Sequence, residues 1–394
     1  MNRLLKGFMP ALVALVIICL FSGAPVAAAN SYVQQYDSRM AAGETEASLY
    51  NKDGYAWGMG PALSSLVRMY ETTKDTKYLE RLVRSARIML QRRDDRLNQV
   101  DYRGLSLPAW GTTHYSQVPG QHYVWAVHTG MITYPMARFV RLVYEDTALQ
   151  PQFKEAAEEL LQAVKLAVAV HDEDFITGPG EGEGYYTLAD AAKKVGISVS
   201  TAPFNQQNAL GRTLLELYLI TGEDIYKDKV TRLAMFMRNR LYAMPDGTYT
   251  WMYHLPPFKL EGPVILSERD AARVVPNTED VSHAGINVDF IVEAYKAGIV
   301  FTADDIKALV QTVLRRIFDS RGQVSNRVGG GASGDYSRQI GEWLGLAPYS
   351  KELYEKIAAY YTQTNPSLNI LSRLAWAGEY YRGVAGRQAS GIDD

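Results

Sequence analysis

The stretch PALSSLVRMYETTKDTKYLERLVRSARIML, residues 61–90, holds two helices of different character joined by a short turn. In the first, Pro61 to Glu71, the residues Leu63, Leu66, Val67 and Tyr70 share one face. Thr72 to Asp75 turns the chain. In the second, Leu79, Leu82, Val83, Ala86 and Leu90 recur at helical spacing, and Lys77, Glu80, Arg81, Arg84 and Arg87 fill the opposite face. The first helix reads as covered on most sides, the second as lying between core and solvent.

The same pair recurs down the chain. Met131 to Tyr144 is followed by the two-faced Gln152 to Val170, and Ala209 to Ile220 by Asp224 to Leu241. Ile286 to Ala297 leads into Ala303 to Phe318, capped by Thr302, and Ile340 to Leu344 leads into Ser350 to Tyr361. A last helix, Ser367 to Tyr381, is left to pair with an N-terminal one near Tyr32 to Met40. An apolar helix followed by a two-faced one, about six times over, predicts two concentric rings. The expected fold is all-α, an (α/α) toroid of about six helical hairpins; an open α-solenoid is the alternative.

Links from apolar to two-faced helix are short, and links back are long: Arg96 to Val127, Asp172 to Gln207, Tyr242 to Val281 and Asp319 to Gln339. Alternate links emerge on the same side of a ring, so one face is plain and the other built up. Long loops in a compact domain usually carry function. Five of the six histidines (His114, His122, His128, His254, His283) fall on the built-up side.

Arg3 and Lys6, the apolar run Ala11 to Phe21 and Ala27-Ala28-Ala29 read as a signal peptide over residues 1–29, leaving residues 30–394 as one toroid domain. A secreted or periplasmic location follows, with no stable membrane insertion after cleavage. Cleavage removes Cys19, the single cysteine, and with it any disulfide. A net charge of −2 without a basic run argues against nucleic acid. Tyrosine, 26 of 394 residues, is roughly twice its ordinary share, which suits sugar faces as well as helix seams.

Pro276-Asn277-Thr278-Glu279-Asp280-Val281-Ser282-His283-Ala284 carries the densest chemistry. Ser282 reads as a helix N-cap, which places Glu279, Asp280 and His283 at a helix mouth for binding or proton transfer. The plainer reading is a structural cap with solvated acids. Tyr55 and Trp57 in the glycine-rich entry to the first helix, and Tyr123 and Trp125 before the second, suit sugar stacking or helix-entry packing. His128 reads as a base or a core histidine. Asn205 and Asn208 suit hydroxyl or carboxylate binding, or capping. Trp251, Tyr253 and His254 share one long link, where a Tyr–His pair suits proton transfer. Arg327 and Arg338 flank the glycine-rich 329–334 stretch, and Arg338 suits a uronate carboxylate. The acids of residues 172–183 lack the spacing of an EF-hand, and no metal or cofactor is expected.

Trp57-Gly58-Met59-Gly60, leading into Leu66-Val67-Arg68-Met69-Tyr70 and Asp75-Thr76-Lys77-Tyr78-Leu79, resembles the first hairpin of the carbohydrate-active (α/α) toroids. These include six-hairpin glycosidases, alginate-lyase-type enzymes and the toroidal domain of D-glucuronyl C5-epimerases. His128-Thr129-Gly130-Met131-Ile132 is similar to their next inner helix. The resemblance implies an enzyme acting on a polysaccharide or oligosaccharide. Two chemistries fit the residues. A uronate lyase or C5-epimerase would use His283 or His128, Tyr253, Asn205 and Arg338. A hydrolase would use Glu279 and Asp280 with Asp53 or Asp335 opposite. The helix terminus, which favours a neutral His283, tilts the reading toward the first. A non-catalytic glycan-binding toroid is the reading from outside enzymology.

Overall fold

In a computed structural model of the chain, residues 24–188, 201–253 and 262–390 are described. The signal-peptide reading falls largely on residues 1–23, outside them. Eleven helices build the ring: α1 Ala24–Ala41, α2 Gly60–Thr73, α3 Lys77–Leu90, α4 Ala126–Glu145, α5 Gln150–Ala169, α6 Phe204–Thr221, α7 Asp224–Arg238, α8 Val281–Lys296, α9 Ala303–Thr312, α10 Lys351–Tyr360 and α11 Leu368–Ser390. A 3-10 segment, Asp335–Tyr349, stands between α9 and α10.

The ring closes. α2 packs on α4, α4 on α6, α6 on α8, α8 on the 3-10 segment, that segment on α11, and α11 back on α2. Outside this inner circle α3, α5, α7, α9 and α10 each pack on the inner element before them, and α1 packs on α11. The fold is therefore an all-α toroid of six hairpins, and the two chain ends form the sixth. An open solenoid would leave α2 and α11 apart. Tyr36 on α1 also bonds Ser65 on α2 at 2.6 Å, with both residues buried.

Local chemistry explains the hairpins. The short turns end their inner helices on left-handed residues: Lys74 (φ 62°), Gly222 (φ 70°) and Gly298 (φ 70°). Thr302 and Asp305 make a reciprocal capping box at the start of α9. Gly130 lets α4 approach α6; a Cβ there would lie 2.3 Å from the Ala209 carbonyl carbon. Among the described residues, strands are confined to the long links. Phe175–Thr177 pairs antiparallel with Gly184–Tyr186, and Tyr242–Ala243 lies between Tyr249–Thr250 and Val264–Ile265.

The inner helices begin earlier than the apolar pattern suggests. α4 starts at Ala126, α6 at Phe204 and α8 at Val281, so His128, Asn205, Asn208 and His283 sit inside helices near their N-termini. The polar residues that looked like loop belong to first turns aimed at the built-up face. The N-cap of α8 is also not Ser282. Asp280 has the extended backbone of a cap, and its carboxylate accepts the Ser282 and His283 amides, each at 3.0 Å. A carboxylate suits the positive helix end at least as well as a hydroxyl.

Candidate active site

Capping by Asp280 fixes the geometry of the first turn of α8. Its Oδ1 takes the two amides, and its Oδ2 accepts His283 Nδ1–H at 2.6 Å. The imidazole is thereby held with Nε2 directed away from the pair. The ring stands among three aromatics: Tyr253 at 5.3 Å, Tyr336 at 5.8 Å and Trp57 at 6.3 Å between centroids. Trp57 in turn lies 6.3 Å from His128, and its Nε1–H donates to Tyr115 Oη at 2.5 Å. Tyr115 packs on His128 and Trp125. His283, Tyr253, Trp57 and His128, from four separate parts of the chain, thus line one region.

His128 is buried, its Nε2 has no partner, and burial lowers its pKa to about 4, so it is neutral at ordinary pH. Burial, reinforced by the charges of Glu279 and Asp280, raises Tyr253 above its ordinary range.

Glu279 lies beneath the pair, fully buried. Its Oε2 accepts Asn287 Nδ2 at 2.6 Å and the Trp251 indole N–H, while Oε1 has no partner. Asn208 Nδ2 donates to Asn287 Oδ1 at 2.7 Å, so a chain of amides runs from α6 to Glu279. Burial, together with the charge of Asp280, pushes the Glu279 carboxyl well above its ordinary pKa against those two hydrogen bonds. This buried group supports the site from below.

A cavity of about 360 Å³ opens beside the first turn of α8, bounded by Trp57, Ser282, Ile286, Glu342 and Asn369. Its volume is within the range of small-ligand pockets. Glu342 comes from the 3-10 segment and lies against Gly285, where a Cβ would stand 2.9 Å from its Oε2. Burial raises the Glu342 carboxyl to about 7, with Asp289 adding to the rise and Arg373, Arg212 and His283 opposing it. The region therefore holds a carboxyl protonated near neutrality beside a carboxylate–imidazole pair.

Several expected contacts fall elsewhere. Tyr55 is fully buried and donates to the Leu49 carbonyl at 2.8 Å, so it floors no sugar. Trp251 is buried and stacked on Trp343, acting as a buttress for Glu279. Tyr123 and Trp125 are buried edge to face at 4.8 Å behind Tyr115, with Trp125 Nε1 unpartnered. Asn205 is buried with Oδ1 unpartnered, and Asn208 is spent on Asn287. Asp53 accepts Thr112 Oγ1 at 2.7 Å near His128, and Asp335 is exposed at the start of its segment. Arg338 lines a different pocket, and Arg327 is turned onto the Thr278 carbonyl. His254 lies outside the described residues. Among the described residues no group of three or more His, Cys, Asp or Glu is placed to hold a metal ion.

Glu342 and Tyr115 are the members that sequence reasoning missed. Glu342 is a single acid in an apolar helix, and Tyr115 follows no motif. Gly285, inside an otherwise bulky run, marks where Glu342 fits, but only a packed structure gives it that meaning.

No family model matches the chain, and no curated protein matches it in sequence. Solved structures with similarity include the alpha-1,6-mannanase GH76A from Salegentibacter sp. HEL1_6, at 13% identity and a TM-score of 0.47 over 82% of this chain and 88% of that one. An inactive variant of that protein in complex with alpha-1,6-mannotetrose gives 15%, 0.48, 82% and 88%. A family 76 glycoside hydrolase from a bovine Bacteroides thetaiotaomicron strain gives 15%, 0.47, 84% and 69%. The ring described above rests on its own contacts.

Proposed function

We propose that the protein is an exported glycoside hydrolase acting on a polysaccharide in the central cleft. The observation that carries this reading is Glu342, a carboxyl held near a pKa of 7 on the cavity wall beside Asp280–His283. Glycoside hydrolysis needs a protonated carboxyl to protonate the leaving oxygen and a base or nucleophile across the bond. Glu342 takes the first role. Asp280 orients His283, and Nε2 removes a proton from the attacking water. The half-exposed Trp57 binds the sugar, and buried, neutral His128 packs against Trp57 and Tyr115 and supports them. Export is supported by the basic start and apolar run of residues 3–21, and no described helix is long and apolar enough to cross a membrane.

Tyr253 beside His283 favours a second reading, a uronate lyase or C5-epimerase with the pair moving the proton alpha to a carboxylate. It is the weaker one because Arg338 lines a different pocket, and the one arginine that lines the cavity, Arg39, is paired with Glu44. One experiment separates the two. Purified protein is incubated in deuterated buffer with neutral and acidic polysaccharides, reading reducing ends, unsaturated-uronate absorbance and deuterium uptake into the glycan together. Reducing ends without absorbance support hydrolysis. Matched growth of both replaces it with the lyase, and proton exchange without cleavage replaces it with the epimerase.

A further inference from the structure

A second pocket, of about 580 Å³, opens where the link between α9 and the 3-10 segment meets the C-terminal end of α10. Arg321, Arg338 and Lys356 line it, and no Asp or Glu does. Arg321 is paired with Asp319, but Arg338 and Lys356 form no ion pair among the described residues. Gln323 and Gln363 add amides and Tyr360 a ring. The wall is fixed by hydrogen bonds: Ser333 Oγ donates to the Val324 carbonyl at 2.7 Å, Gly334 N–H to Ser337 Oγ at 3.0 Å, and Tyr336 N–H to Asn326 Oδ1 at 2.9 Å.

This wall is shared with the candidate active site. Tyr336 packs on His283, and Arg338, two residues later, faces the second pocket. Cα atoms two residues apart lie within roughly 7 Å. A glycan leaving the cleft past Tyr336 therefore reaches Arg338 first, in a pocket that Lys356 also lines. A guanidinium offers paired N–H donors to a carboxylate or sulfate, and neutral sugars have no use for such a charge.

We propose that this pocket is an outer subsite binding a carboxylate or sulfate group of a polysaccharide whose neighbouring unit occupies the central cleft, so that the substrate is an acidic glycan. The proposal rests on the polysaccharide reading above and names its substrate class.

The test uses the full chain carrying Glu342→Gln, so that binding is read without turnover. Retardation in gels containing polygalacturonate, chondroitin sulfate or neutral mannan is compared with and without the added pair Arg338→Gln and Lys356→Gln. Melting temperature confirms that each variant is folded. The expected result is retention by an acidic glycan, weakened at least about tenfold by the added pair and by raised salt, with mannan unaffected by either. Equal retention with and without the two cations overturns the proposal, as does retention by mannan alone or by none of the three. Acidic-glycan binding that depends on Arg338 and Lys356, with no cleavage of that glycan by the unmodified protein, would instead count against the hydrolase reading and leave the subsite standing.

Discussion

Down the inner ring, Glu71, Glu216 and Asp289 toward the plain end and the middle meet guanidinium groups, whereas Glu279 and Glu342 toward the built-up end do not. In the C-terminal halves of the inner helices, Glu216 takes Arg141 at 2.6 Å and Arg138 at 3.3 Å, and Arg138 also meets Glu71 at 2.7 Å. Midway, Asp289 takes Arg373 at 2.5 Å and Arg212 at 3.2 Å, and those cations hold it at about 2 despite its burial. Nearer the built-up face, Glu279 and Glu342 have no cation within ion-pair distance among the described residues, and both are pushed upward by burial. Paired acids tie five inner helices, α2, α4, α6, α8 and α11, to one another. Unpaired ones are pushed upward by burial, the pattern of perturbed carboxyls that catalytic sites use.

Substitutions at the two ends should therefore differ in kind. The largest effect is expected at Asp280→Asn. Asparagine still caps α8, but the anionic partner of His283 is gone, so kcat/KM should fall by about 10³-fold with the melting curve little changed. Retention of most activity would show that the pair is only a cap. Asp289→Asn should do the reverse. It strands two buried guanidinium groups and should cost about 3–5 kcal/mol in denaturant titration, with kcat nearly unchanged in whatever remains folded.

Glu342 should also appear in the pH dependence of stability. Its folded pKa of about 7 lies above the ordinary 4.5, so the folded state binds the extra proton between those values. The favourable contribution is full below about 4.5 and is lost as pH rises to about 7. Relative to Glu342→Gln, the unmodified protein should lose about 3 kcal/mol across that window and stay level above it. A flat difference would place Glu342 in ordinary solvent. The smallest effect is expected at Tyr55→Phe, which removes one buried hydrogen bond and should cost about 1 kcal/mol without touching activity. A loss of turnover there would return Tyr55 to the substrate.

The ring was legible because hairpin alternation is a strong repeated signal. Apolar stripes such as Ile306, Leu309, Val310 and Val313, and short turns ending on Gly222 or Gly298, survive small errors in helix boundaries. The comparison between the two ends of the axis was not. Arg68, Arg138, Arg212, Glu216, Asp289, Glu342 and Arg373 sit in helices that read as apolar. A charge per helix looks like noise until the helices are set in register. Counted from their observed starts, Arg68, Arg212 and Asp289 are each ninth in their helices, and Arg138, Glu216 and Glu293 thirteenth, so they fall at common levels. At the built-up end, Asp280 and His283 stood out because they cluster in sequence. Ser282 was misread as the cap because α8 was started at its first apolar run. Tyr123 and Trp125 suit sugar stacking on residue type, but burial decides that question, and it arises from packing between distant segments.

In the proposed hydrolysis a neutral carboxyl at Glu342 delivers the proton to the leaving oxygen. The most direct measurement is the pH profile of kcat/KM by reducing-end release, for the unmodified protein and Glu342→Gln, on whichever polysaccharide is cleaved. The rate should fall as pH rises through about 7, and Glu342→Gln should lose at least about 10²-fold at equal melting temperature. Full activity in Glu342→Gln, with the alkaline limb still in place, would contradict it.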